Sequence, residues 1–284
     1  MLEKPRNIIA QAYAHSRAVV AFNTINAETT IAIVRAAVRA KLPTLFEVSE
    51  KTIAYLGMRT VVELITSVVS EESGKVPMGF HLDHGHSFKI CQQAIAAGFP
   101  SVMIDASALS FKENVALTRR VVNYAHKRGV LVQGELGALV PVRGRRLTAK
   151  SDLMTHPEQA AEFVSLTGVD TLGVAVGTLH GPAKMFHKLP HIDFGRLAAI
   201  HKQVNIPLVL HGASGVPASH LRRAMKLGVS VVNIDTELRL AYLAALKHEL
   251  RQQPSEYDPR VIFTPVVEAL AATAYRKLKS LNIA

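Results

Sequence analysis

Four times along the chain an amphipathic segment stops at a glycine and an apolar, β-branched run begins at once. The pairs are CQQAIAAG before FPSVMID, VVNYAHKRG before VLVQGEL, EFVSLTG before VDTLGVAV, and LRRAMKLG before VSVVNID. Glycine enters the left-handed conformation without a Cβ penalty, so Gly98, Gly129, Gly168 and Gly228 are read as helix stops. Runs such as SVMI, VLV and VSVVNI are apolar at consecutive rather than alternate positions. That pattern belongs to strands covered on both faces, as in a parallel sheet flanked by helices. Helix starts are marked by capping-box spacing at Ser110–Glu113 and Thr155–Glu158, and by Ser87 and Asp193 as N-caps.

Extended along the chain, the pattern predicts eight strands at roughly 18–23, 43–48, 78–83, 101–105, 130–135, 170–176, 206–210 and 229–234. Eight βα units in 284 residues, with no Pro/Gly/Ser-rich linker, predict one α/β domain over 1–284. The expected architecture is a closed (β/α)8 TIM barrel with an N-terminal helix and an additional C-terminal helix near 261–279. An open doubly wound sheet would carry a glycine-rich phosphate fingerprint after its first strand, whereas AFNTINAETT stands there.

Composition narrows the class. Lone Cys91 cannot form an intrachain disulfide, the N-terminus lacks a signal-peptide pattern, and no run of about 20 apolar residues occurs. A cytoplasmic protein without a membrane span is expected. Thirty-three Lys and Arg against 22 Asp and Glu give a net charge of +11, compatible with a polyanionic partner. The basic residues fall in scattered pairs, such as Arg119-Arg120, Lys127-Arg128 and Arg222-Arg223, which is the pattern of a solvated face.

A barrel concentrates chemistry at the C-terminal ends of its strands. Those ends read Asn23, Ser49, Asp83-His84, Asp105, Glu135, His180-Gly181, His211-Gly212-Ala213-Ser214 and Asn233-Ile234-Asp235-Thr236. A single strand-end Asn, Ser or Asp is ordinarily a cap or turn former; their convergence on one rim is the signal. His84, His180 and His211 follow strands 3, 6 and 7, and three imidazoles with an open fourth position describe a catalytic zinc site. Asp105 and Glu135 would orient those ligands or hold an alternative metal position, while His81 and His86 are read as structural or supporting. Small residues in GTLHG and HGASG leave backbone N–H groups open to an anion at the barrel's usual phosphate address, with Ser214 and Thr236 as hydroxyl donors.

At these residues the sequence resembles the class II, metal-dependent ketose-bisphosphate aldolases of the fructose- and tagatose-bisphosphate type. The matching segments run nearly end to end: AFNTINAET, FEVSE, HLDHGHSF, SVMIDAS, GELG, GTLHG, LHGASG, VVNIDTELR and YDPR. The resemblance implies a TIM-barrel lyase using one zinc per subunit, with a monovalent cation as a further ligand, acting as a homodimer or homotetramer. It implies His84, His180 and His211 as metal ligands and Asp83 as proton donor to the aldehyde oxygen. Gly181, Gly212, Ala213, Ser214, Asn233, Ile234, Asp235 and Thr236 would bind dihydroxyacetone phosphate. Asn23, Ser49 and Lys184 would give supporting contacts, and Arg239 would reach the other phosphate. Zinc as Lewis acid would stabilise the enediolate formed when a bond beside a ketone breaks, so no Schiff-base lysine is needed.

One departure is marked. Relatives carry a loop Glu after GELG that takes the substrate proton, but here GALVPVRGRRLTAKSD places Arg143 at that position. Leu136 to Ser151 holds no acid and four bases: Arg143, Arg145, Arg146 and Lys150. Arginine stays protonated at physiological pH and cannot serve as the base, so either Asp152, Glu158 or another group substitutes, or enolisation is slow, or the substrate differs. The favoured expectation is an active aldolase whose basic lid clamps a phosphate, with fructose 1,6-bisphosphate ahead of tagatose 1,6-bisphosphate because of Asp235. The alternative is a weak or inactive aldolase scaffold binding phosphorylated ligands or nucleic acid. A zinc hydrolase barrel is disfavoured because the first strand ends in AFNT rather than His-x-His.

Overall fold

The glycine-terminated units become successive βα turns of one closed cylinder in the computed structural model, which describes residues 1–137, 153–179, 181 and 191–282. The strands are β1 Val19–Asn23, β2 Thr44–Ser49, β3 Met78–Gly85, β4 Ser101–Ile104, β5 Leu131–Leu136, β6 Thr171–Val174, β7 Leu208–Leu210 and β8 Val229–Ile234. They pair in chain order, and β8 returns beside β1 in parallel with Val20 opposite Val232, which closes the barrel. The helices are α1 Pro5–Ala14, α2 Ala27–Ala40, α3 Glu50–Leu56, α4 Met58–Glu72, α5 Phe88–Ala96, α6 Phe111–His126, α7 Pro157–Thr167, α8 Phe194–Gln203, α9 Ala218–Met225, α10 Thr236–Gln252 and α11 Pro259–Leu281. The expected N-terminal and C-terminal helices are therefore α1 and α11. Among the described residues no single helix is long and apolar enough to cross a membrane.

Period-two alternation divides each strand between two cores. Outward residues such as Val20, Phe22, Phe46, Val102 and Val132 pack under the helices in the main cluster. Inward residues Val19, Ala21, Leu45, Leu131, Val209 and Val231 form a smaller cluster inside the barrel, closed from below by Ile8 and Ile9 of α1. Each of the valine, leucine and isoleucine side chains contributes about 1.5–3 kcal/mol when fully buried. The plug requires glycine at position 79, where a Cβ would lie 2.9 Å from both the Glu3 carbonyl and Pro5 Cγ. Moving up the same inward columns, apolar gives way to polar: Leu131, Gln133, Glu135 on β5, and Gly79, His81, Asp83 on β3. The barrel is thus sealed at one end and chemically armed at the other.

The caps mostly follow expectation. Ser110 and Glu113 form a reciprocal box, with Glu113 N–H donating to Ser110 Oγ at 3.4 Å and Ser110 N–H to Glu113 Oε2 at 3.0 Å. Ser87 and Asp193 cap α5 and α8. Thr155 is the exception: α7 starts at Pro157 with His156 at its N-cap and no side-chain cap bond. The Thr155 hydroxyl instead donates to the Leu136 carbonyl and accepts the Ala175 N–H, tying the ends of β5 and β6 together. Several of the basic residues in the scattered pairs lie over aromatic rings. Arg120 stacks on Phe88 at 4.0 Å, Arg128 on Tyr124 at 3.7 Å and Arg223 on Phe194 at 4.0 Å.

His81 sits inside the barrel at 4% exposure, its Nδ1 2.6 Å from Ser101 Oγ. Burial depresses its pKa from 6.5 to about 4. A histidine kept neutral in the fold contributes stability above its unfolded pKa of about 6.5, and loses it as pH falls through about 4. The gap corresponds to about 3 kcal/mol. Urea unfolding should therefore show the protein losing about 3 kcal/mol more than His81→Gln between pH 7 and pH 4. Parallel losses in the two proteins would mean that His81 titrates normally.

Candidate active site

The site begins with an irregularity in β3. Leu82 pairs with Val102 and Gly85 with Ile104, so three steps along β3 span two along β4. The extra residue is accommodated by a left-handed His84, φ 48°. Gly85 follows because a Cβ there would meet the Met103 carbonyl at 2.8 Å. Adjacent residues on a regular strand face opposite ways; the bulge turns Asp83 and His84 into the same cleft.

Asp83 is 6% exposed, and the Asn23 amide donates to its Oδ2 at 2.7 Å. Its Oδ1 lies 3.7 Å from His84 Nε2 and 3.9 Å from His211 Nδ1. His84 Nδ1 bonds Asp105 Oδ2 at 2.8 Å and lies 3.8 Å from Glu135 Oε2. Asp105 is itself steadied by the Ser107 N–H and hydroxyl. His211 follows β7, its ring centroid 4.5 Å from that of His84. Gln133 Nε2 and Asn233 Nδ2 stand 2.7 and 3.2 Å from its two ring nitrogens and set the ring plane.

Electrostatics reflects this crowding. Burial pulls the His84 pKa down, but Asp83, Asp105 and Glu135 outweigh it and hold it at about 10. Burial raises the Glu135 carboxyl to about 8. Asp105 is pushed up by burial, yet its bonds to His84 and Ser107 keep it well below the usual carboxylate range. Asp83 Oδ1 and Glu135 Oε2 are buried and have no hydrogen-bond partner among the described residues. Ligand atoms of Asp83, His84 and His211 all lie within 4.8 Å of one another, as do those of His84, Asp105 and Glu135. Imidazole and carboxylate donors around orphaned buried oxygens fit a divalent transition metal. His180, the third expected imidazole, lies outside the described residues, as do Lys184, Asp152 and the loop bearing Arg143, Arg145, Arg146 and Lys150.

The cleft measures about 580 Å³. One part of its wall is formed by Gly181, Gly212, Ser214, Asn233, Asp235 and Thr236, with Gly181 at φ 94° and Gly212 at φ 64°. Two residues assigned to this wall from the sequence are not on it. The Ala213 side chain is fully buried and its N–H donates to the Asn233 carbonyl, while Ile234 is buried within β8 on the outward, helix-facing side. Ser214 Oγ accepts the N–H groups of Asp235 and Glu237, which holds the loop after β7 against the start of α10. Glu237 completes that brace, accepting the Gly215 N–H at 2.6 Å and pairing with Lys277 of α11 at 2.8 Å.

The rest of the wall carries Asn23, Ser49 and Arg239, as expected, and also Glu50, Lys51 and Ser107. Ser49 is at the same time the N-cap of α3, accepting the Thr52 N–H. Arg239 Nε bonds Asp235 Oδ1 at 2.5 Å. His86 lines the cleft as a supporting residue, its N–H donating to Glu50 Oε1 at 2.6 Å. Gln133, Glu237, Glu50 and Lys51 were not singled out as site residues from the sequence. The available signals were period two for Gln133, two positions below Glu135, and the places of Glu50 and Lys51 just after a strand end.

A closed barrel whose strand ends bring imidazoles and carboxylates into one cleft, beside glycine-lined backbone, defines a barrel enzyme suited to a divalent cation and an anionic substrate. The family model described as class-II fructose-bisphosphate aldolase matches residues 3–284. The chain belongs to the class II fructose-bisphosphate aldolases, metal-dependent aldehyde-lyases of carbohydrate metabolism. It is 40% identical over 275 residues to the fructose-bisphosphate aldolase of Geobacillus stearothermophilus, covering 96% of this chain and 94% of that one. It is 36% identical over 306 residues to the fructose-bisphosphate aldolase of Helicobacter pylori strain J99, covering 100% and 99%. The YdjI aldolase of Escherichia coli K12 superimposes with a TM-score of 0.85 at 31% identity, covering 99% of this chain and 98% of that one.

Proposed function

We propose that the chain reversibly cleaves fructose 1,6-bisphosphate into dihydroxyacetone phosphate and glyceraldehyde 3-phosphate, with zinc held by His84, His180 and His211. The observation that carries this reading is the convergence of Asp83, His84 and His211 within 4.8 Å at the barrel mouth. When bound, the divalent ion supplies Lewis-acid withdrawal of electron density from the substrate carbonyl. The chain's own groups do the remainder. Asn23 holds Asp83 Oδ2, which leaves the carboxylate oriented to take the proton of the C4 hydroxyl in cleavage and return it in condensation. Asp105 and Glu135 orient His84 and balance charge around it. Gly181, Gly212, Ser214, Asn233, Asp235 and Thr236 receive the dihydroxyacetone phosphate half, and Arg239 reaches toward the second phosphate.

The chain is proposed to act as a homodimer or homotetramer, which exposed Leu243 and Leu250 on α10 support and light scattering would read. The deciding experiment is a coupled cleavage assay on fructose and tagatose 1,6-bisphosphates, with the protein chelated and then reconstituted with zinc. Zinc-dependent turnover favouring the fructose isomer is expected. Full activity in the chelated protein defeats the zinc mechanism. Absence of turnover with zinc restored favours the inactive-scaffold alternative, for which Arg143 in place of the loop Glu is the motive.

A further inference from the structure

We propose that Lys51 binds the anionic group on the aldehyde half of the substrate and so sets the preference for doubly over singly phosphorylated ketoses. The inference rests on the aldolase reading above.

Lys51 lies in the first turn of α3, immediately beyond the end of β2, and lines the cleft. In an eight-stranded barrel closed in chain order, β2 stands four strands from β6, directly across the mouth. Gly181, which follows β6, lines the opposite wall, with Gly212 and Ser214 beyond β7 beside it. Asp83 and His84 come from β3, next to β2. A ketose bisphosphate carries its two anionic groups at opposite ends of a six-carbon chain, with the breaking bond between them. If the glycine-lined wall takes one phosphate, the other falls on the β2 side of the reacting carbons.

The groups available there differ in how far they are already committed. Arg239, which also reaches toward this phosphate, is ion-paired with Asp235, so part of its charge is already offset before substrate arrives and a second cation is needed. The Ser49 hydroxyl accepts the Thr52 N–H as the cap of α3. Glu50 is turned to the His86 N–H. Adjacent positions on a helix do not face one another, so Glu50 is no natural partner for Lys51. Lys51 is exposed on the cleft and makes no ion pair among the described residues. The backbone that carries it is anchored, since buried Thr52 donates its hydroxyl to the Thr24 carbonyl at 3.2 Å. The result is a cation on a flexible stem over a fixed base, able to follow a phosphate as the aldehyde arrives and departs.

The test compares kcat/KM for fructose 1,6-bisphosphate and fructose 1-phosphate, which differ only in the distal phosphate, in the zinc-loaded wild type, Lys51→Gln and Lys51→Arg. Loss of one charge-assisted contact should lower the bisphosphate-to-monophosphate ratio by about 10- to 100-fold in Lys51→Gln. Lys51→Arg, which keeps the charge, should recover most of the ratio. A ratio unchanged in Lys51→Gln, or a Lys51→Arg protein as impaired as Lys51→Gln, overturns this inference while leaving the aldolase reading standing. A wild type that cleaves neither sugar with zinc present overturns the aldolase reading itself, and this inference with it.

Discussion

Replacing His211 with alanine should abolish zinc-dependent cleavage and lower the zinc content of the dialysed protein well below that of the wild type. His211 is 2% exposed, its ring lies 4.5 Å from that of His84, and the Gln133 and Asn233 side chains flank it and set its plane. Removing it leaves His84 and the carboxylates without their partner from β7. Lewis-acid assistance is worth several kcal/mol, so kcat/KM should fall on the order of 10³-fold or more. Loss of a buried ring also costs stability, so a circular dichroism melt accompanies the assay. A folded variant that keeps wild-type zinc and activity would remove His211 from the centre.

Asp83→Asn separates two roles that geometry places side by side. Asp83 Oδ1 is 3.7 and 3.9 Å from nitrogens of His84 and His211, close enough to join a ligand set, while its other oxygen is held by Asn23. If Asp83 handles the C4 proton, the variant retains zinc and loses about 10²- to 10⁴-fold in kcat. Binding of dihydroxyacetone phosphate, read by calorimetry, should be little changed, since its wall comes from β6, β7 and β8. Loss of zinc in proportion to activity would instead make Asp83 a ligand. Asparagine keeps the size of the side chain, so misfolding is a small concern.

Much of the barrel is legible in the chain because its causes are local. Burial on both faces writes consecutive apolar residues into each strand, and the left-handed step that ends a helix calls for glycine. The eight predicted strands accordingly fall within about two residues of those observed at every end. Ser87, Ser110 and Asp193 cap as expected, for a side chain need reach only three residues to do so. Thr155 shows the limit of that logic. The spacing of a capping box was present, but a hydroxyl able to bridge Leu136 and Ala175 across two strand ends bonded there instead.

The sequence by itself determined the closed parallel architecture, the rim on which polar residues gather and, through its motifs, the family. Tertiary structure decided which of those residues face one another. That Asp83 and His84, adjacent in the chain, both enter the cleft depends on the register slip between β3 and β4 and on a left-handed histidine. Ala213 and Ile234, equally near strand ends, turn away into the packing, while Gln133 and Lys51 turn in. Side-chain direction at a strand end is governed by pairing with the neighbouring strand and by the packing behind it. Those partners lie tens of residues distant, beyond the reach of any local pattern.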